Sequence, residues 1–160
     1  MGLDMYLYAE KFVSGYDFDK NHEKDMYNKV VNAIGGAGFA SADSPSLTVK
    51  MTAMYWRKQN AIHNWFVHNV QDGVDECKAY YVSPEQLIEL RNTCQAVLDD
   101  PTLAPTLLPT QAGFFFGGTE YDDWYWAGLR STIEGIDNLF TEFLKQDGQR
   151  EWSFEYQSSW

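Results

Sequence analysis

The chain begins and ends with segments in which apolar and polar residues alternate. Residues 3–10 read LDMYLYAE, with an aliphatic side chain at every second position, and residues 152–157 read WSFEYQ, with an aromatic one. Successive side chains of a strand point to opposite faces of its sheet. The alternation therefore predicts a half-buried strand at each end of the chain.

Between these two strands the sequence predicts three more strands and four helices. The strands cover residues 47–57, 78–82 and 114–116, the last being a phenylalanine triplet bounded by glycines. The helices cover residues 19–34, 60–70, 84–98 and 119–143, where apolar residues recur every three or four positions. Since strands and helices do not alternate strictly, we expect an α+β fold, with a mixed or mainly antiparallel sheet of about five strands packed with about four helices.

Local signals mark where two of the helices begin. Residues 83–86 read SPEQ, which places serine at the N-cap, proline at the first helical position and glutamine at the third. Thr119 and Asp122 resemble a second capping box ahead of the last helix. Prolines at 101, 105 and 109 predict an extended, non-helical course between these helices.

The last predicted helix carries two glycines, Gly128 and Gly135, one heptad apart and therefore on one face. Glycine costs about 1 kcal/mol relative to alanine inside a helix. Two glycines on one face predict the close approach of another element. We favour the protein's own sheet over a second subunit, and the sequence leaves both a monomer and a homodimer open.

The composition restricts the class of function. The length of 160 residues suits a single domain over residues 1–160. The net charge of -11 opposes direct binding to nucleic-acid phosphates or to an anionic membrane. It suits solubility, or binding to a basic protein surface. The aromatic share of 16% is high, so we expect some aromatic side chains to line a groove, a pocket or a partner surface.

The sequence predicts neither a metal site nor a cofactor. The two cysteines, Cys77 and Cys94, form no CxxC pair, and His63 and His68 lie five residues apart, outside the spacing of three or four that helical zinc ligands prefer. The opening segment, MGLDM, lacks the basic region and the long apolar run of a signal peptide. We therefore expect the protein to be cytoplasmic.

Basic residues are concentrated in one part of this acidic chain. No acidic residue occurs between Asp43 and Asp72, and this segment contains Lys50, Arg57 and Lys58. Arg57 and Lys58 lie at the junction between a predicted strand and a predicted helix. A guanidinium and an ammonium side by side suit an oxyanion, such as a phosphate or a carboxylate.

The helix after this junction places Asn60, His63 and Asn64 on one face, with Trp65 among the apolar contacts. Two interpretations stay open. In the structural one, these polar side chains satisfy buried backbone groups, and Arg57 pairs with an acid such as Asp122. In the functional one, they line a ligand pocket in which Trp56, Trp65 and Trp124 stack on a ring.

The segment before the last helix is the second candidate wall of such a pocket. Thr110 and Gln111 are hydrogen-bonding side chains in an uncharged run, and Tyr121 and Asp122 follow near the helix start. The alternative is a covering loop with satisfied amides. The corner at residues 117–119, GGT, could hold an anion through its backbone N–H groups, but we favour a tight turn because acidic residues follow it.

Four blocks of the sequence together resemble a known group of proteins. They are MGLDMYL at the start, YWRK with the following N and IHNWFV, PTQ with GFFFG, and YQSSW at the end. The chain resembles an uncharacterised family of small proteins from phages and bacterial genomes. The resemblance implies a phage or prophage accessory protein in the host cytoplasm that binds a host protein, and it supplies no catalytic residues.

Two classes of function follow from these observations. The first is a binding protein that acts on a host protein or on a small anionic, nucleotide-like ligand. The second is a small enzyme in which His63 is the general acid or base, because its pKa lies near the working pH. Arg57 and Lys58 would then hold the anionic substrate, and Asp122 or Glu120 would orient the imidazole. An enzyme needs His63 in an open pocket, whereas a protein binder needs an exposed apolar patch.

Overall fold

A computed structural model describes residues 2–17, 23–144 and 152–160. The backbone forms two compact units. The larger comprises Met1–Ala9 together with Thr52–Trp160, and the smaller comprises Glu10–Met51.

The described residues form an α+β fold with one antiparallel sheet of four strands and with five α-helices. The strands are β1 (Asp4–Ser14), β2 (Ser46–Arg57), β3 (Tyr80–Val82) and β4 (Ser153–Ser159), in the sheet order β2-β1-β4-β3. The helices are α1 (Glu23–Ala33), α2 (Asn60–Asn69), α3 (Pro84–Asp99), α4 (Ala104–Leu107) and α5 (Asp123–Leu144). None of these helices is both long and apolar enough to cross a membrane. The predicted fold class is confirmed, with one strand fewer and one helix more than expected.

The predicted strand at the phenylalanine triplet is a turn. Phe116 N donates to Gly113 O over 3.1 Å, and Phe115 O accepts from Leu3 N over 2.9 Å. Because these backbone groups are used by a turn and by the start of β1, the segment forms no strand ladder of its own. Phe114 is consequently 96% exposed, whereas Phe116 is buried.

The prolines between α3 and α5 do not keep the chain extended as predicted. Residues Pro101–Leu103 form a 3-10 helix, and α4 follows directly. Pro101 and Pro105 occupy the first turns of these two short helices. Proline is tolerated there because the N–H it lacks would have no intrahelical partner.

The two predicted helix starts have different outcomes. At α3 the capping box is confirmed, because Gln86 N donates to Ser83 Oγ over 3.1 Å and Ser83 N donates to Gln86 Oε1 over 2.9 Å. At α5 the N-cap is not Thr119. Asp122 Oδ1 accepts from Tyr125 N over 3.0 Å, so the cap lies three residues later than predicted.

The core of the larger unit lies on one face of the sheet. Odd-numbered residues of β1 and even-numbered residues of β4 form this face and pack against α2, α3 and α5. Leu3, Met5, Leu7, Phe154 and Tyr156 are fully buried or nearly so. The opposite face of these strands carries Asp4, Tyr6 and Tyr8, which are only partly buried.

Each of the two glycines of α5 leaves room for a side chain of another element: Gly135 for one from β2, and Gly128 for one from the turn after β2. A Cβ added at Gly128 would lie 2.0 Å from Gln59 Oε1, and one added at Gly135 would lie 2.3 Å from Met54 Cε. The predicted close approach is therefore confirmed, and the approaching element belongs to the protein's own chain.

The smaller unit has an apolar cluster of its own. Val13 of β1 packs with Tyr27 and Val31 of α1, and Leu47 and Val49 of β2 pack against them. The start predicted for α1, near residue 19, lies outside the described residues.

The alternation predicted for β2 does not hold along the whole strand. Leu47 and Val49 are half-buried, but near the other end Trp56 is buried while Tyr55 is 50% exposed. The inward positions therefore change from odd to even numbers. One irregular residue, as in a β-bulge, is enough to produce such a change.

Candidate functional site

The backbone turns sharply between β2 and α2. Lys58 has a φ of 54°, in the left-handed region that side chains other than glycine seldom adopt. Lys58 N donates to Leu3 O over 2.8 Å, which fixes the turn to the start of β1. The lysine is followed by Gln59, which lies just before the first residue of α2.

Asn60, the first residue of α2, holds the 110–118 segment in place. Its Nδ2 donates to Phe116 O over 3.1 Å and to Gly118 O over 2.8 Å, and its Oδ1 accepts from Gln111 N over 3.0 Å. The side chain is buried. Both donors and the acceptor are thus occupied, so Asn60 positions the segment as a structural residue.

A cavity of about 280 Å³ lies between this segment and the β2–α2 turn. Lys58 and Asn60 contribute to one wall, and Thr110, Gly117 and Gly118 contribute to another. The two candidate walls that the sequence predicts therefore meet. They meet because the Asn60 amide ties the 110–118 segment to the start of α2.

The start of α5 completes the cavity. Glu120, Asp122, Trp124 and Tyr125 line this side. Trp124 is 60% exposed, so its ring is available to a ligand. The Asp122 carboxylate accepts from Tyr125 N, as described for the α5 cap, and this hydrogen bond directs one of its oxygens to the helix.

Two glycines flank the stem of Lys58. A Cβ added at Gly117 would lie 3.3 Å from Lys58 Cβ, and one added at Gly2 would lie 3.1 Å from Lys58 Cε and 3.5 Å from Arg57 Nη2. The two neighbouring cations therefore both reach Gly2. Arg57 Nη1 pairs with Asp4 Oδ1 over 3.0 Å, not with Asp122. Lys58 makes no ion pair with any residue that the structure describes.

The N-terminus of α2 opens onto the same cavity. Its N-cap residue, Gln59, makes no side-chain capping hydrogen bond. The first N–H groups of a helix lack intrahelical partners and carry a partial positive charge. Asn60 and Ala61, from this first turn, both line the cavity. The turn between β2 and α2 is thus an electropositive element of an acidic protein.

A second cavity of about 320 Å³ shares Gln59 and Trp124 with the first. Arg57 and Ser131 are among its other lining residues. Gln59 Nε2 donates to Trp124 O over 3.2 Å, and the glutamine side chain lies against Gly128. Gln59 and Trp124 therefore separate a cavity that contains Lys58 from one that contains Arg57.

His63 lies away from both cavities, in the core. Its ring is fully buried, with Nδ1 2.7 Å from Tyr156 Oη and Nε2 3.2 Å from Asp75 Oδ1. The contact with Asp75 has the distance of an ion pair without the alignment of a hydrogen bond. Burial lowers the pKa of His63, and the Asp75 carboxylate opposes this shift. Burial also raises the pKa of Tyr156 well above its ordinary value. The acid near the imidazole is Asp75, not Asp122 or Glu120.

Two other predicted residues of α2 also lie outside the cavity. Trp65 is buried, and its ring packs edge-on against Phe66 at a centroid distance of 5.4 Å. Asn64 is half-buried, and its backbone carbonyl lies 2.9 Å from His68 Nδ1. Trp56 is buried as well, which leaves Trp124 as the exposed ring among the three predicted to stack.

Gln111 and Tyr121 lie near the cavity without lining it. Gln111 bonds through its backbone N–H to Asn60, and its Oε1 is buried without a partner among the described residues. The Tyr121 ring packs edge-on against Tyr125 at 4.9 Å. The predicted residues that do line the cavity are Lys58, Asn60, Thr110 and Asp122.

A second surface is the outer face of the sheet in the larger unit. The Tyr6 ring stacks on Tyr8 at 5.7 Å and lies 5.3 Å from the ring of Tyr55. Tyr55 donates a hydrogen bond to Asp4, and Tyr81 of β3 is 62% exposed. We call Tyr6, Tyr8, Tyr55 and Tyr81 the tyrosine face.

No protein-family model matches this sequence, and neither a curated protein nor a solved structure is significantly similar to it. The resemblance to small phage and bacterial proteins gains no support from these comparisons and stays a prediction. Within the described ranges, no group of three His, Cys, Asp or Glu residues is arranged to hold a metal ion.

Proposed function

We propose that this protein binds a small anionic ligand through a carboxylate or phosphate group at Lys58 and the first turn of α2. The ammonium supplies a full charge, and the free N–H groups of the helix supply directed donors. The exposed ring of Trp124 forms an adjoining wall. A phage accessory role and a cytoplasmic location are compatible with this proposal, but the proposal does not rest on them.

The observation that carries the proposal is the strained backbone of Lys58 together with its unpaired ammonium. A residue other than glycine in the left-handed region costs about 1–2 kcal/mol. Such strained positions concentrate at functional sites, where the surrounding structure holds them. Lys58 combines this backbone with an ammonium that makes no ion pair among the described residues, at the edge of a cavity. Glycine would relieve the strain but would remove the charge.

The geometry supports a binding protein better than an enzyme that uses His63. A general acid or base must come within hydrogen-bond reach of its substrate. The His63 ring is fully buried and already contacts Tyr156 and Asp75. These contacts join α2 to β4 and to the loop before β3, so His63 has a structural role in the core.

The proposal can be tested by titrating three anionic probes into the protein: inorganic phosphate, benzoate and adenosine monophosphate. We expect at least one of them to bind at millimolar concentration or below, and Lys58→Ala to weaken that binding by roughly tenfold or more, because a charge-assisted hydrogen bond is lost. Lys29→Ala is the matched control, since Lys29 is an exposed lysine on α1. Circular dichroism would verify that both variants fold.

Either of two results would overturn the proposal. One is that none of the three probes binds the unmodified protein. The other is that Lys58→Ala binds the probes as well as Lys29→Ala does. Lys58→Arg adds a further check, because it keeps the charge and should keep most of the affinity.

The tyrosine face favours a second function, binding to a basic segment of another protein. Exposed tyrosine rings attract guanidinium groups through cation–π contacts, and the net charge of -11 attracts a basic partner over a longer range. We expect a nona-arginine peptide to bind, and Tyr55→Leu to weaken it more than Tyr121→Leu, a matched change of an exposed tyrosine outside the face. Equal affinities of the two variants would exclude the tyrosine face as the binding surface.

A further inference from the structure

The cavity at the start of α2 contains two opposite charges that do not pair with each other. Lys58 and Glu120 both line it, yet neither makes an ion pair with any residue that the structure describes. Other basic side chains in the described ranges do have acidic partners, such as Arg57 with Asp4 and Arg91 with Asp137. Both side chains are exposed, so each can reach a ligand held in the cavity.

Glu120 differs from the other polar groups of the lining because its carboxylate makes no hydrogen bond or ion pair with any described residue. The Asp122 carboxylate keeps its charge, but one of its oxygens accepts from Tyr125 N in the α5 cap. Asn60 uses its amide to hold the 110–118 segment. A ligand in the cavity therefore meets the Lys58 ammonium with the helix N–H groups, the unpaired Glu120 carboxylate and the Trp124 ring.

We infer that the ligand is zwitterionic, with its anionic group at Lys58 and the α2 N-terminus and a cationic group at Glu120. This inference rests on the proposed function and names the class of ligand. A ligand with only a negative charge would be repelled by Glu120, whereas a ligand with both charges complements both walls. Because Lys58 and Glu120 are exposed, water screens both charges, and the second charge should add a modest amount of affinity.

The size of the cavity restricts the ligand further. Its volume of about 280 Å³ lies at the lower limit of ligand pockets, which span roughly 300–1,000 Å³. A molecule on the scale of a single amino acid fits this volume. The Trp124 ring favours an amino acid with an apolar or aromatic side chain, because aromatic pairs add to the burial of apolar area.

Three probes that share a phenyl ring and a short chain separate the charge requirements. Phenylalanine carries both charges, 3-phenylpropionate only the negative one and 2-phenylethylamine only the positive one. We expect phenylalanine to bind roughly threefold more tightly than 3-phenylpropionate, and 2-phenylethylamine to bind more weakly than either. Affinities would be measured from chemical-shift changes in NMR titrations of the full chain.

Two variants test which residue binds each charged group of the ligand. Glu120→Gln should reduce the affinity for phenylalanine to that for 3-phenylpropionate and leave 3-phenylpropionate bound as before or more tightly. Lys58→Met should weaken both ligands. Glu134→Gln is the control, because it neutralises an exposed glutamate that does not line this cavity.

The results distinguish this inference from the proposed function. If 3-phenylpropionate binds as tightly as phenylalanine, the ligand class is overturned while anion binding at Lys58 stands. If Glu120→Gln leaves the preference for phenylalanine unchanged, the assignment of the cationic group is overturned. If none of the three probes binds, the zwitterion inference fails, and the phosphate, benzoate and nucleotide titrations decide the proposed function separately.

Discussion

Replacing an α5 glycine with alanine should lower stability clearly at Gly128 but change it little at Gly135. Both replacements gain about 1 kcal/mol of helix propensity. At Gly128 the new Cβ would lie 2.0 Å from Oε1, 2.2 Å from Cδ and 2.5 Å from Nε2 of Gln59. The whole carboxamide group of a buried residue would have to move. At Gly135 the nearest atom is the terminal Cε of Met54, at 2.3 Å, which can rotate away.

The cost at Gly128 has two parts. Inserting a methyl group into a packed site costs typically 1–3 kcal/mol. Displacing Gln59 also breaks its 3.2 Å hydrogen bond to Trp124 O, worth about 0.5–1.5 kcal/mol. Against the propensity gain, we expect Gly128→Ala to lower the free energy of unfolding by about 1–3 kcal/mol. Gly135→Ala should change it by less than about 1 kcal/mol.

Urea denaturation followed by circular dichroism measures both variants against the unmodified protein. The double variant Gln59→Ala, Gly128→Ala should lose less stability than the two single changes together, because alanine at 59 leaves room for the new methyl group. If Gly128→Ala is as stable as Gly135→Ala, the glycine at 128 is not required by Gln59, and this account of the α5 packing is wrong.

Two further predictions concern buried polar side chains. Acidification should destabilise the protein through His63, because burial lowers the pKa of this side chain in the folded state. The unfolded chain therefore binds a proton more readily than the folded protein does. The contribution of His63 to the free energy of unfolding is fully present above pH 6.5, the pKa of the unfolded chain, and is lost as the pH falls below it. Thermal unfolding at pH values above and below 6.5 should show a smaller pH dependence for His63→Gln. Asn60→Ala should cost about 2–4 kcal/mol, because it leaves two carbonyls and one N–H without their partner. It should also speed hydrogen exchange at the Gln111 amide, and unchanged exchange there would contradict the role of Asn60.

The parts of the fold that the sequence predicts correctly are those with a local cause. The SPEQ box at Ser83 and the periodicity of the helices depend on residues within one or two turns, and the structure confirms them. The strand predicted at Phe114–Phe116 does not form, because the carbonyl oxygens of Phe116 and Phe115 accept from the Asn60 side chain and from Leu3 N. No local pattern near the triplet contains these distant partners.

The candidate site shows the same division. The two walls could be predicted because each contains an unusual local composition, two adjacent cations in one and hydrogen-bonding side chains in an uncharged run in the other. The acid beside His63 could not be predicted, because Asp75 approaches the ring through tertiary packing. Equally, no spacing rule connects Lys58 with Gly2 and Gly117, whose missing side chains give its stem room.

The three longest helices with a described N-terminus allow the site to be compared with the rest of the molecule. α3 begins with a capping box at Ser83 and α5 with Asp122, which accepts from Tyr125 N, whereas α2 begins after Gln59 without a side-chain cap. Gln59 does not cap the helix because its buried side chain donates to Trp124 O and packs against Gly128. The same turn contains the strained backbone of Lys58. Sequences depart from the locally most stable choice chiefly where function requires it. The first N–H groups of α2 and the strained Lys58 therefore lie next to each other at the same cavity. If the proposed anion binds there, it accepts from these N–H groups, and ligand binding should raise the melting temperature of the unmodified protein more than that of Gln59→Asp, in which a carboxylate already occupies the helix start.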